Sequence, residues 1–279
     1  MMKRKWKQLG LLSLLLLLLV SLAGCGTSLA DENTWQHVQQ TKTITWGVKA
    51  DTRLFGLMDV KDSQIKGFDV DIAKAVTQQM LGKNSQAKFV QVTSNTRVPM
   101  LKSGNIDAIA ATMSVTKERE KQVAFSDTYF QAGQALLVKK GSRIHSVKDL
   151  KKGDVVIGVQ GSDSVENIKK AAPQAKVIQL SDASQAFTAL KAGQGVAMTS
   201  DNAILYGMST QDNRFVVTGG SFFDEPYAVA ANKGQTEFTD HVNTALKQLV
   251  KNGEYQRIVQ KWFGNVPGFK ASDATIGGE

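Results

Sequence analysis

An apolar, strand-like run from Ile106 delivers the chain into Thr112-Met113-Ser114-Val115-Thr116, and Arg119 follows on a helical turn. This places loose backbone N–H groups, the Thr112 and Ser114 hydroxyls and one guanidinium at the carboxyl end of a strand. Such a cluster suits a small carboxylate, because a planar guanidinium grips it bidentately and helix N-terminal amides favour negative charge. Taken alone, Arg119 reads more readily as a surface residue paired with Glu118 or Glu120. Asp201 ends a second apolar run, Val196 to Ser200, where it can face a ligand cation, cap the next helix, or do both. Gly161-Ser162-Asp163-Ser164 follows a third run and precedes a helix, so its amides point to the same region. Asp163 would repel a carboxylate if it faced that space and would be neutral as a helix cap, the role that the local pattern favours. Asp51 and Phe55 follow the first strand and should line the near wall, although a core position for Phe55 fits as well. Asp69 either approaches the same space or caps the helix it begins. There is no metal-spaced His/Cys set, nucleophile elbow or phosphate loop, and His37, His145 and His241 are scattered. No cofactor, metal or catalytic residue is expected.

The elements that must carry these residues repeat. Ala87-Lys-Phe-Val-Gln-Val92 reappears as Ala175-Lys-Val-Ile-Gln-Leu180. Leu101-Lys-Ser-Gly104 and Ile106-Asp-Ala108 reappear as Leu190-Lys-Ala-Gly193 and Val196-Ala197, and Ile44–Val48 is matched by Val155–Val159. Each half reads strand, helix, strand, helix, strand. Ile72, Val76 and Met80 recur at helical spacing with Gly82 as a stop, and Pro99 sits near the start of a helix that Gly104 ends. Ser181 or Asp182 can cap the helix that carries Ala186, Phe187 and Leu190. Strands alternating with helices indicate an α/β protein with mostly parallel sheets, whose ligands collect beyond the strands' carboxyl ends. Two such sheets facing one another would share a cleft.

The N-terminus reads as a targeting segment. Lys3, Arg4, Lys5 and Lys7 precede the leucine-rich run Leu11–Leu22, which is shorter than the ~20 residues a bilayer span needs. Removing those four cations takes the formal net charge from +9 to +5, a mildly basic domain without the dense Lys/Arg run of a nucleic-acid binder. Cys25 is the only cysteine, which excludes an intramolecular disulfide. Leu22-Ala-Gly-Cys25 resembles a lipobox, which implies lipid modification of Cys25; an ordinary signal peptide is the alternative.

Thr112-Met-Ser-Val-Thr-Lys-Glu-Arg119 with Val123-Ala-Phe-Ser-Asp127, together with Gly67-Phe-Asp-Val-Asp71-Ile-Ala-Lys, closely resembles the core motifs of the family 3 bacterial solute-binding proteins. These are extracytoplasmic receptors of polar amino acid ABC transporters, and the likeness runs from about Thr43 to Gly264. The resemblance implies a two-lobed, type II periplasmic-binding-protein-like fold, its two α/β lobes joined by a two-crossing hinge at Phe130–Val138 and Asp224–Ala230. The expected division is a signal peptide at 1–24, a flexible tether at 25–40, lobe 1 at 41–130 plus 228–279, and lobe 2 at 131–227. Arg119 would grip a ligand α-carboxylate, while Asp201, Ser114 and the Thr112 carbonyl would cage its ammonium. The Gly161 turn departs from the family pattern, because Asp163 stands where a hydroxyl is common. Arg97, in Thr96-Arg-Val-Pro-Met-Leu-Lys-Ser-Gly, resembles the glutamate-, aspartate- and glutamine-binding subgroup, where the arginine reaches the ligand side chain. The implied protein is a monomeric, lipid-anchored receptor that delivers glutamate, aspartate or glutamine to a permease and its ATPase. A lyase or dehydratase on the same fold is the alternative.

Overall fold

The computed structural model describes residues 33–269 and residue 274; the leader and Cys25 lie outside them. The first described element corrects one boundary, because the stretch expected to be tether up to residue 40 is helical from Thr34. Helix α1 (Thr34–Thr41) is capped by the Asn33 side chain, which accepts from the Gln36 N–H. Its Trp35 and Val38 are one turn apart and buried, and the Trp35 ring stacks on His241 at 3.6 Å. A polar composition concealed two apolar anchors at helical spacing.

The first half then runs β1 (Thr43–Val48), a small antiparallel sheet of β2 (Asp51–Thr52), β3 (Gly56–Asp59) and β4 (Gln64–Lys66), then α2 (Phe68–Leu81), β5 (Gln86–Gln91), α3 (Arg97–Lys102) and β6 (Ala108–Ile109). After α4 (Lys117–Glu120) comes the long strand β7 (Val123–Lys139). The second half runs β8 (Val155–Val159), α5 (Ser164–Ala171), β9 (Lys176–Leu180), α6 (Ala183–Lys191) and β10 (Ala197–Asp201). Helix α7 (Asn202–Gln211), the long strand β11 (Phe215–Asn232), α8 (Thr236–Lys251) and α9 (Glu254–Phe263) complete the chain.

The internal repeat is visible in the strand order. One sheet reads β5-β1-β6-β11-β7-β10-β8-β9, so each half places its first strand between its second and third. All four of these pairings are parallel. Helices α3 and α6 even stop alike: Gly104 and Gly193 adopt φ of 73° and 75°, and their N–H groups donate to the Leu101 and Leu190 carbonyls. Only a residue without Cβ takes that conformation at little cost. Asp182, rather than Ser181, caps α6 by accepting from the Gln185 N–H.

Two separate sheets facing one another were expected; the ladder is instead continuous. Strands β7 and β11 are 17 and 18 residues long, enough to pair along both halves. β11 pairs with β6 at Ala230 and Ala231, while β7 pairs with β10 from Gln134 to Val138. The β7–β11 register shifts at Thr218/Phe223 and between Tyr227 and Ala230, bending the ribbon near the crossing. A buried aromatic cluster of Phe55, Phe68, Phe130, Tyr227 and Phe263 packs the first half against this ribbon, mostly edge to face. Trp262 of α9 donates to Asp71 on α2 and ties the C-terminal helix into the first half. Among the described residues, no helix is long and apolar enough to cross a membrane.

Because Trp35 is 9 % exposed and stacked, Trp35→Ala should lower the unfolding free energy by about 2–4 kcal/mol in a denaturant titration. A change within about 0.5 kcal/mol would show that α1 contributes nothing to the domain.

Candidate functional site

The site is built on a held backbone distortion. The apolar run expected as one strand to Thr112 pairs only at Ala108–Ile109, because Thr112 turns to φ 46°, a region a β-branched residue rarely occupies. Such a conformation costs of order 1–3 kcal/mol and persists only where surroundings enforce it. Here two buried charged groups do so. Asp69 neither caps α2 nor reaches the cavity; its Oδ2 accepts from the Thr112 N–H at 2.8 Å and its Oδ1 from the Tyr129 hydroxyl at 2.9 Å. Burial pushes its carboxyl up to about 7 against those two hydrogen bonds. Arg97, 2 % exposed, donates from Nη1 to the Ala111 carbonyl at 2.7 Å and the Thr112 carbonyl at 3.1 Å. Burial first, then the nearby Arg119, brings its guanidinium down to about 9.

Beyond Thr112 the chain is tied to the crossing strand. Ser114 bridges Tyr227, the Val115 N–H donates to the Pro226 carbonyl and the Ala228 N–H to the Met113 carbonyl. Thr116 caps α4 by accepting from the Arg119 N–H. The Arg119 side chain then folds back, donating from Nη1 to the Ser114 carbonyl at 2.9 Å and to Asp163 Oδ2 at 3.0 Å. Neither glutamate beside it is its partner in these bonds. Asp163 does not cap α5, contrary to the cap that the local pattern favoured. Its carboxylate pairs with Arg119 instead, while the Ser162 hydroxyl accepts from the Ser164 N–H at 3.2 Å.

The two halves meet closely around this pair. Gly161 has φ 76°, and a Cβ there would lie 2.8 Å from the Asn95 backbone. Asp51 serves the same closure: its Oδ2 accepts from the Ala183 N–H at 2.7 Å, where α6 begins, and its Oδ1 lies 3.9 Å from Lys49 Nζ. Asp51 and Phe55 are both absent from the cavity wall where they were expected. Phe55 sits behind it, because its ring is enclosed by Phe68, Phe130, Tyr227 and Phe263.

Asp201 closes the site from β10. It occupies the N-cap position of α7 without making a side-chain cap bond. The Tyr227 hydroxyl donates to its Oδ2, and among the described residues its buried Oδ1 has no hydrogen-bond partner. Burial, reinforced by the Asp163 charge, pushes its carboxyl up to about 7. Lys49, Arg97, Thr112, Ser162, Asp163 and Asp201 line a narrow, nearly closed cavity of about 20 Å³, room for about one water. Larger grooves open elsewhere, beside Lys139 and Arg214 and beside Tyr206 and Pro267, but none of the buried unpartnered atoms belongs to their walls.

Two participants were missed by sequence reasoning. Lys49, buried, donates to the Ser94 hydroxyl at 3.1 Å, and burial holds its ammonium below the usual lysine range. Its signal was a lysine directly after an apolar strand. Glu225, also buried, accepts from Asn167 at 2.8 Å through Oε1, while Oε2 has no partner among the described residues. Burial, then Asp201 and Asp163, raises it to about 9. Its signal was a carboxylate inside a strand otherwise read only as a hinge crossing. Such an assembly of opposed charges around an unpartnered carboxylate oxygen suits a small zwitterion once the halves part to admit it, and no groups of His, Cys, Asp or Glu suited to a metal occur among the described residues.

Comparison with known proteins agrees. Residues 44–265 match the family model of bacterial extracellular solute-binding proteins, family 3. The ABC transporter glutamine-binding protein GlnH of Bacillus subtilis is 46% identical over 272 residues, covering 95% of this chain and 99% of its own. The glutamine-binding protein of Geobacillus stearothermophilus is 45% identical over 250 residues, covering 83% and 95%. Among solved structures, an ancestral arginine-binding protein bound to glutamine superposes with a TM-score of 0.75 at 39% identity, covering 80% of this chain and 99% of its own. From this match over most of its length, the chain belongs to the bacterial extracellular solute-binding proteins of family 3.

Proposed function

We propose that this protein binds L-glutamine between its two halves and delivers it to a membrane permease, held at the membrane by a lipid on Cys25. The chain is the substrate-binding protein of an amino acid ABC importer, works outside the cytoplasm, and is a receptor rather than an enzyme. The observation that carries the ligand reading is the buried, unpartnered Asp201 Oδ1 in a cavity that also presents cationic groups. A buried carboxylate oxygen without a partner is costly unless a donor arrives, and an α-ammonium supplies one. In this reading Arg119 takes the α-carboxylate, with the amides of the Ser162 turn beside it, and Ser114 and the Thr112 carbonyl complete the ammonium cage.

Two lines support glutamine among the polar amino acids. The two relatives above carry that ligand in their names. The charged residues of the cavity wall are two cations, Lys49 and Arg97, and two carboxylates, Asp163 and Asp201. A balanced wall suits a ligand of zero net charge. Arg97, expected to read a side-chain carboxylate, has its Nη1 committed to the carbonyls of Ala111 and Thr112. Its role in this reading is to hold the wall, and its buried Nε has no partner among the described residues.

Arg119→Ala and Asp201→Asn should each weaken glutamine binding by ~2–5 kcal/mol, tens to thousands of fold by calorimetry, with an unchanged fold. Near-normal titrations in both variants would remove the proposed site. Affinity should also depend on pH in a defined direction. The ammonium needs the Asp201 carboxylate, and that carboxyl is raised to about 7 by burial and by Asp163, against the opposing pull of the Tyr227 hydroxyl, Arg119 and Arg97. Binding should therefore be about tenfold weaker at pH 6 than at pH 8, with proton release at the lower pH. A flat profile would show that no proton is displaced from Asp201. For the anchor, Cys25→Ser should move the protein from the membrane fraction to the soluble fraction; retention on membranes would require another attachment.

A further inference from the structure

We infer that Asp163 is the specificity-determining residue that lets the cleft accept glutamine while refusing glutamate. The inference rests on the reading that glutamine is the ligand. Three carboxyl groups converge here, and their surroundings differ. Asp201 keeps an unpartnered oxygen for an ammonium. Glu225 is buried, held through Oε1 by Asn167, and raised to about 9 chiefly by burial, so it adds little negative charge near neutral pH. Asp163 alone is left without a ligand cation to balance and with its carboxylate in the cavity wall. The local sequence would have let it cap α5, yet it makes no side-chain cap bond and its carboxylate turns across the cleft to Arg119 at 3.0 Å.

The consequence follows from the count of charges. A ligand α-carboxylate at Arg119 already shares that guanidinium with Asp163. A second carboxylate on the ligand would enter a narrow space where Arg97 already donates from Nη1 to two backbone carbonyls and Lys49 to Ser94, with Asp51 3.9 Å from Lys49. Like charges brought together in a desolvated site are strongly disfavoured, whereas an amide of the same shape is not. Asp163 thereby supplies the repulsive element against the acid, and its attraction to Arg119 keeps it aimed into the cleft.

The test is calorimetric titration of glutamine and glutamate into the wild type, Asp163→Asn, and Asp163→Glu at pH 7.5, with thermal unfolding as a check on folding. The wild type is expected to take glutamine and refuse glutamate. In Asp163→Asn, the ratio of glutamate to glutamine affinity should rise at least about tenfold. Asp163→Glu should keep the refusal. Should Asp163→Asn fail to fold, Asp163→Ser carries the same expectation. Continued refusal of glutamate by a folded, glutamine-binding Asp163→Asn would overturn the inference and leave the glutamine reading intact. Loss of both ligands in that variant with unchanged unfolding would also overturn it, since Asp163 would then anchor the ligand. A wild type that binds glutamate as well as glutamine would overturn it too. A wild type that binds no glutamine would overturn the functional reading itself, before any substitution is made.

Discussion

The backbone of Thr112 is gripped from two sides by buried charged groups, Asp69 on its N–H and Arg97 on its carbonyl, and the site is arranged around that grip. Without it, a β-branched residue would return to extended geometry and continue β6. The next residues would then run out of register with the crossing strand. With the grip in place, Ser114 meets Tyr227, the Met113–Val115 backbone pairs with Pro226 and Ala228, and Arg119 arrives where its guanidinium reaches the Ser114 carbonyl. Burying both groups is unfavourable in isolation, as the raised carboxyl and lowered guanidinium record. The hydrogen bonds to the backbone offset part of that cost and convert the rest into positional precision.

The cleft itself is an electrostatic balance in a poorly hydrated space. Arg119, Arg97 and Lys49 stand against Asp163 and Asp201, with Glu225 beside them held largely neutral by burial, and most of these side chains are buried. Low local dielectric strengthens each attraction and each repulsion, so small changes in which oxygen faces which nitrogen decide what can enter. An amino acid zwitterion fits such a balance because it adds one charge of each sign.

Closure depends on the long ribbon of β7 and β11. Since the same two strands pair with both parallel units, the halves can rotate about their crossing while each keeps its own strand order. Contacts that span the halves, Asp51 with α6 and Gly161 against Asn95, lie at the rim rather than in either core. Rim contacts of this kind can break and reform without disturbing the packing of Phe55, Phe68 and Phe130 behind them.

The sequence by itself determined the duplicated strand–helix order, the stops at Gly82, Gly104 and Gly193, and the identity of the residues around Thr112, Arg119 and Asp201. These follow from local periodicity, backbone freedom and side-chain chemistry, all of which act over a few residues. Tertiary structure decided the rest. Asp163 became Arg119's partner because folding brought the two, 44 residues apart in sequence, within 3.0 Å of one another. Phe55 became core because four rings from distant segments surround it. The tether became helical from Thr34 because Trp35 found His241, more than two hundred residues away. Lys49 and Glu225 acquired their importance only when folding removed water from around them. Burial and long-range pairing depend on what the rest of the chain brings alongside, and no window of sequence contains that information.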